Sequence, residues 1–123
     1  MSYITGIVLP VPTARKEDYR KVVTDVSELF REYGATEIVA AWGEDVRAGQ
    51  VTDFRRAVQA RDDETVVFAW FVWPDRATAD AADRQMLEDG RMKPFPDMPF
   101  DPQRMIMGGF APVLEAGRQG AVQ

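Results

Sequence analysis

Between Arg91 and Arg104 three cations, Arg91, Lys93 and Arg104, are interleaved with Asp97 and Asp101 and with the rings of Phe95 and Phe100. Mixed charge beside aromatic surface is suited to holding a small anionic aromatic ligand. Pro94, Pro96, Pro99 and Pro102 stiffen the stretch, so little ordering entropy is lost if it binds one. The same prolines equally suit a structural arm crossing the sheet edge or a partner subunit. A second group, Asp53, Arg55 and Arg56, sets a carboxylate beside guanidinium groups, which bind carboxylate or phosphate well. An aspartate there also serves simply as the N-cap of a short helix with solvated charges behind it. Trp42 and Trp70 offer large faces and one donor each, and are expected to line a cavity between sheet and helices. Core or dimer packing makes the same demand on them, and on Trp73. The expected ligand-contacting set is therefore Trp42, Asp53, Arg56, Trp70, Arg91, Lys93, Asp97 and Arg104.

Missing residue types narrow the chemistry further. The chain has no histidine and no cysteine. A Ser-His-Asp triad, a cysteine nucleophile, an ordinary zinc site and a His- or Cys-ligated haem are therefore excluded. No catalytic residue, metal ligand or cofactor is assigned. Acid–base work near neutral pH would fall to a shifted carboxylate, Lys or Tyr. The net charge of −5 argues against broad nucleic-acid binding and against adhesion to an anionic membrane. Gly108-Gly109 lacks the spacing and the following helix of a phosphate loop. No run of about 18 apolar residues is present, so no membrane span is expected. The N-terminus enters a strand at once, with no secretory pattern. The absence of cysteine suits a reducing cytoplasm, the expected location.

The elements that would position these residues follow from periodicity. Residues 2–9 read as a strand ended by Pro10 and Pro12. A helix from Ala14 to Tyr33, with Thr13 as N-cap, buries Tyr19, Val22, Val23, Val26, Leu29, Phe30 and Tyr33 on one stripe. Gly34 stands where a left-handed terminator is wanted. Residues 36–42 form a second strand and Gly43 to Gln50 a polar loop. Residues 52–58 fit a short helix, inner face Phe54, Ala57 and Val58, nearly as well as a strand. After the acidic turn 61–64, residues 65–73 form a long strand. Asp75 caps a second helix over 76–88, with Ala77, Ala81, Ala82 and Met86 as its small-residue stripe and Gly90 as terminator. Residues 91–103 form an irregular loop, and 104–114 the last strand, bent or bulged at Gly108-Gly109. One domain is expected over 1–114, followed by a flexible tail over 115–123.

The order β-α-β, β-α-β gives an α+β fold, a ferredoxin-like split β-α-β sandwich. Its sheet has four antiparallel strands with two helices on one face. The strand 65–73 is apolar on both faces. Thr65, Val67, Ala69, Phe71 and Trp73 share one side; Val66, Phe68, Trp70 and Val72 share the other. Such a strand must be covered twice, and the helices suffice for one face. A second copy, packed through a two-fold axis, is the expected cover for the other.

Four segments carry a resemblance: Gly6 to Pro12, Trp42-Gly43-Glu44-Asp45, Thr52 to Val58, and the stretch from Arg91-Met92-Lys93-Pro94 through Asp97 to Ile106. In their order and spacing the chain resembles the YbaA-like bacterial proteins, a family of unknown function in the dimeric α/β-barrel superfamily. The resemblance implies a ferredoxin-like protomer and a homodimer whose sheets close into a barrel. It carries over no catalytic residues. Superfamily members include antibiotic-biosynthesis monooxygenases, lactone isomerases and haem-handling enzymes. The expectation is thus a protein binding a small organic molecule, with cofactor-free oxygenase or isomerase activity. The rival is a noncatalytic binding or stress-response module without turnover.

Overall fold

The computed structural model describes residues 2–89 and 98–117. In chain order the elements are β1 (Tyr3–Pro12), a 3-10 turn (Thr13–Arg15), α1 (Lys16–Glu32), β2 (Glu37–Trp42), the one-turn α2 (Phe54–Ala57), β3 (Glu64–Trp73), α3 (Arg76–Glu88), a second 3-10 turn (Pro102–Arg104) and β4 (Ile106–Phe110). The strands form one antiparallel sheet in the order β2-β3-β1-β4. This is the expected ferredoxin-like arrangement.

Strand β1 runs through both prolines that were expected to end it, Pro10 lying opposite Val66 and Pro12 opposite Glu64. Thr13 N–H donates to the Asp63 carbonyl at 2.9 Å. Alternation by two then turns the amides of Val11 and Leu9 toward β3 and those of Pro10 and Pro12 away from it. On that far side β4 pairs only with Ile4 to Val8. Each proline therefore sits where no ladder N–H is needed.

Register also settles which apolar set the helices take. Thr5 and Ile38 both lie opposite Phe71, and Leu9 and Trp42 both opposite Val67. One buried cluster joins Phe30, Ala35, Phe71, Trp73, Ala79 and Ala82. A second joins Leu9, Val11, Tyr19 and Val67. Tyr19, Leu29 and Phe30 are the buried residues of α1, and Phe30 stacks among Tyr33, Phe71 and Trp73 with ring centroids 4.8–6.0 Å apart. Trp73 satisfies its indole by donating to Thr5 Oγ1 at 3.0 Å. The small stripe of α3 is Ala79 and Ala82, with Met86 partly buried; Ala77 faces solvent, one step off the expected line.

Local signals set most element ends. Gly34 takes φ +115°, while Ala35 N–H reaches the Phe30 carbonyl and Gly34 N–H that of Arg31, closing α1 with paired reverse bonds. Asp75 accepts from Thr78 N–H at 2.7 Å and Asp53 from Arg56 N–H at 2.8 Å, so both act as N-caps and 52–58 resolves as helix rather than strand. Thr13 does not cap α1, because its hydroxyl pairs with that of Thr65 at 2.7 Å. The last strand is shorter than 104–114. Gly108 and Gly109 hold regular register opposite Gly6 and Thr5, with no bulge. Gly90 and the tail 118–123 lie outside the described residues.

On the other face stand Ile4, Val8, Val39, Val66, Phe68, Trp70, Val72, Ile106 and Phe110. One end of it is covered: Phe54 of α2 meets Phe68 edge to face at 6.0 Å, and Pro10 and Val66 are buried. The remainder is open, with Phe68, Ile106 and Phe110 all about half exposed.

The proline register makes a direct prediction. Pro12→Ala should change unfolding free energy by less than ~1 kcal/mol, because no ladder bond changes. Val11→Ala should cost roughly 2 kcal/mol as a packing loss, and Val11→Pro at least ~3 kcal/mol beyond that, by deleting a bond to β3. Urea denaturation of the three variants checks the ordering.

Candidate functional site

The most highly connected charges lie where the second 3-10 turn meets the start of β3. Glu64 opens that strand and is buried, 6% exposed. Arg104 closes on it as a fork, NH1 to Oε1 at 2.6 Å and NH2 to Oε2 at 2.7 Å. Arg104 also donates to Asp101 Oδ2 at 3.0 Å and to the Gln59 carbonyl at 2.9 Å. Glu64 Oε1 further accepts Arg61 N–H at 2.7 Å, and Arg55 bonds the Glu64 and Arg61 carbonyls. The Arg104 hydrogen bonds, helped by the Arg61 amide, outweigh the burial penalty and hold the Glu64 carboxyl down at about 2. Hydrogen bonds from Gln103 N–H and then Arg104 lower Asp101 as well. These carboxylates are anions at neutral pH with their lone pairs occupied, so the cluster is a latch joining turn, α2 and sheet. It is not an acid–base pair.

Among the expected site residues, Arg104 is thus committed to this latch. Asp53 and Arg56 are engaged with one another, Arg56 Nε to Asp53 Oδ2 at 3.0 Å. Asp53 also accepts the Gly49 and Arg56 amides, which lower its pKa, and Arg56 donates to the Val51 and Gly49 carbonyls. Together they close the 49–56 loop on itself. Trp42 and Trp70 do not share a cavity. Val39 lies opposite Trp70 and Trp42 opposite Val67, so the two indoles point to opposite faces of the sheet. Trp70 donates to Glu37 Oε2 at 3.0 Å on the open face, whereas Trp42 stands on the helix face with Lys16 Nζ 5.3 Å from its ring centroid. Arg91, Lys93 and Asp97 lie outside the described residues.

Among the described residues, a polar hollow of about 500 Å³ lies beside the latch, edged by Arg61, Asp101 and Arg104, and two smaller concavities lie on the faces of the sheet. On the open face a depression of about 270 Å³ lies over Gly6 and Gly108, bordered by Val8, Phe68, Ile106 and Phe110. The Phe110 ring comes so close over the two glycines that a Cβ on either would lie 3.2–3.3 Å from it. On the helix face a groove of about 250 Å³ separates α1 from β2, edged by Lys16, Tyr19, Arg20 and Trp42. Glu64 and Tyr19 are the participants that sequence reasoning missed as site residues. Glu64 sat unremarked in an acidic turn, forty positions from its partner; Tyr19 was read only as one member of a core stripe.

The family described as "Protein of unknown function (DUF1428)" matches residues 2–102. The chain belongs to the DUF1428 family. Its curated relatives include the uncharacterized protein YbaA of Escherichia coli strain K12, 46% identical over 116 residues, spanning 94% of this chain and 99% of the relative. The protein of the same description from Shigella flexneri matches to the same extent. The resemblance read in the four segments therefore holds. Among solved structures, a dimeric ferredoxin-like protein from an uncultured marine organism superposes with a TM-score of 0.56 at 14% identity, covering 94% of this chain and 100% of that one. That likeness shows the fold of this DUF1428 chain to be ferredoxin-like.

The latch predicts a pH dependence. Because Glu64 is lowered on folding from the usual carboxylate range to about 2, its stabilisation is complete above pH ~4.5 and lost as pH falls through 2. Arg104→Gln leaves a buried carboxylate without its charged partner and should cost roughly 3 kcal/mol at pH 7. It should also flatten the acid limb of the profile below pH 4.5. Chemical denaturation of wild type and variant between pH 2 and 7 measures both effects.

Proposed function

We propose that this DUF1428 protein acts as a homodimer in which the open sheet faces of two copies meet and enclose an apolar chamber for a small, uncharged organic molecule. The observation that carries this reading is the composition of the open face. Phe68, Ile106 and Phe110 remain about half exposed around the depression over Gly6 and Gly108, and contiguous apolar surface of this kind marks an interaction site. A second copy is the natural cover. The patch lies on an antiparallel sheet, a two-fold axis makes it self-complementary, and the ferredoxin-like structural neighbour is described as dimeric.

Binding without turnover is the better supported of the two functional readings. Proton transfer needs a titratable side chain within hydrogen-bond reach of the substrate. Among the described residues the depression is lined by glycine, aliphatic, methionine and phenylalanine residues, none of which titrates. Oxygenase or isomerase chemistry that uses an acid or base would have to draw it from elsewhere in the chain.

Sedimentation at micromolar concentration should give a species near 28 kDa, twice 13.9 kDa. Phe110→Arg should sediment as a folded monomer, whereas Phe71→Arg, which buries a charge among Phe30 and Trp73, should fail to fold. Nile red, an uncharged fluorescent probe, should brighten with the wild-type dimer and not with the Phe110→Arg monomer. A soluble wild-type monomer, or a Phe110→Arg protein that remains dimeric, contradicts the assembly. A dimer that leaves the dye dark contradicts the chamber.

A further inference from the structure

Tyr19 is 7% exposed, yet its hydroxyl makes no hydrogen bond to any described residue. Among the described residues no fully buried side-chain polar atom lacks a partner, so this hydroxyl reaches solvent although the ring is buried. It edges the groove between α1 and β2, where a guest can reach it. Burial pushes its pKa up to about 12, so it stays a neutral O–H donor under all ordinary conditions.

The same groove holds an uncompensated cation. Lys16 Nζ lies 5.3 Å from the Trp42 ring centroid, and among the described residues no carboxylate pairs with it. Arg20, the other cation there, is engaged by Glu17 at 3.4 Å. The floor is low because β2 presents on this face only the methyl of Ala40 beside the indole of Trp42, while Ala41, opposite Phe68, contributes backbone and turns its methyl to the open face. A flat apolar wall, one neutral donor and one positive charge thus converge on a space of about 250 Å³.

We propose that the α1–β2 groove is a binding site for a small aromatic carboxylate. Its ring lies against Trp42 and Ala40, and its carboxylate accepts from the Tyr19 hydroxyl and pairs with the Lys16 ammonium. One ammonium and one neutral donor match a single negative charge, which favours a carboxylate over a doubly charged phosphate ester. The site is on the helix side of the sheet and does not depend on the dimer or on the open-face chamber. Of the residues first singled out for ligand contact it uses Trp42 alone.

Titration of uniformly 15N-labelled full-length protein with 2-naphthoate tests this. The amides of Ala40 and Ala41 and the indole of Trp42 should shift together. The uncharged 2-naphthamide should bind at least about fivefold more weakly. Tyr19→Phe keeps the ring and removes the donor, and should raise the naphthoate Kd about tenfold, as for the loss of a hydrogen bond to a charged group. Lys16→Gln should bring naphthoate to the level of naphthamide. Shifts confined to Phe68, Ile106 and Phe110, equal affinity for acid and amide, or a Tyr19→Phe protein that binds as wild type overturns the proposal.

Discussion

Strand β3 presents two apolar sets, and its register with β1 and β2 decides which one the helices receive. α1 and α3 close over Val67, Ala69, Phe71 and Trp73, where Phe30 and the alanines of α3 complete a dense aromatic core. Everything else about the molecule follows from what is left over. Val66 and Pro10 are buried, and Phe54 of α2 leans on Phe68. Beyond them the opposite face offers rings and aliphatic side chains to its surroundings. A helix on that side would have hidden them; this chain instead spends those residues on a polar loop and a single helical turn.

The Glu64–Arg104 fork explains how so short an α2 is held at all. A four-residue helix has almost no stability of its own. Its position is fixed by side chains around it: Arg55 on the Glu64 and Arg61 carbonyls, Arg104 on the Gln59 carbonyl, and Arg56 with Asp53 closing the preceding loop. The fork also brings the approach to β4 against the start of β3. Among the described residues, the charged side chains that resembled a binding site in the sequence are engaged within the fold, Asp53 with Arg56 and Arg104 with Asp101 and Glu64.

This outcome shows what was legible in the sequence. The α1 stripe from Tyr19 to Tyr33, the left-handed Gly34, the aspartate caps and the two-sided pattern of β3 depend on neighbours a few residues apart, and each could be read directly. The fold class followed from their order, and the family from four short segments. What could not be read required register. Trp42 and Trp70 part to opposite faces because of which residues of β3 they face, and Pro10 and Pro12 are tolerated because the pairing of β4 with β1 stops at Val8. Glu64 and Arg104 meet across forty residues with no local pattern to announce them. The Tyr19 hydroxyl belongs to the same class: periodicity places a side chain in the core, but it does not say whether its polar end finds a partner.

The central claim, that a second copy covers the open face of the sheet, is tested most directly by isotope-filtered NOE spectroscopy on a mixture of 13C-labelled and unlabelled protein. Intermolecular contacts from the rings of Phe68 and Phe110 and the methyls of Ile106 are the result expected. Intermolecular contacts confined to α1 and α3, or none at all, would contradict it.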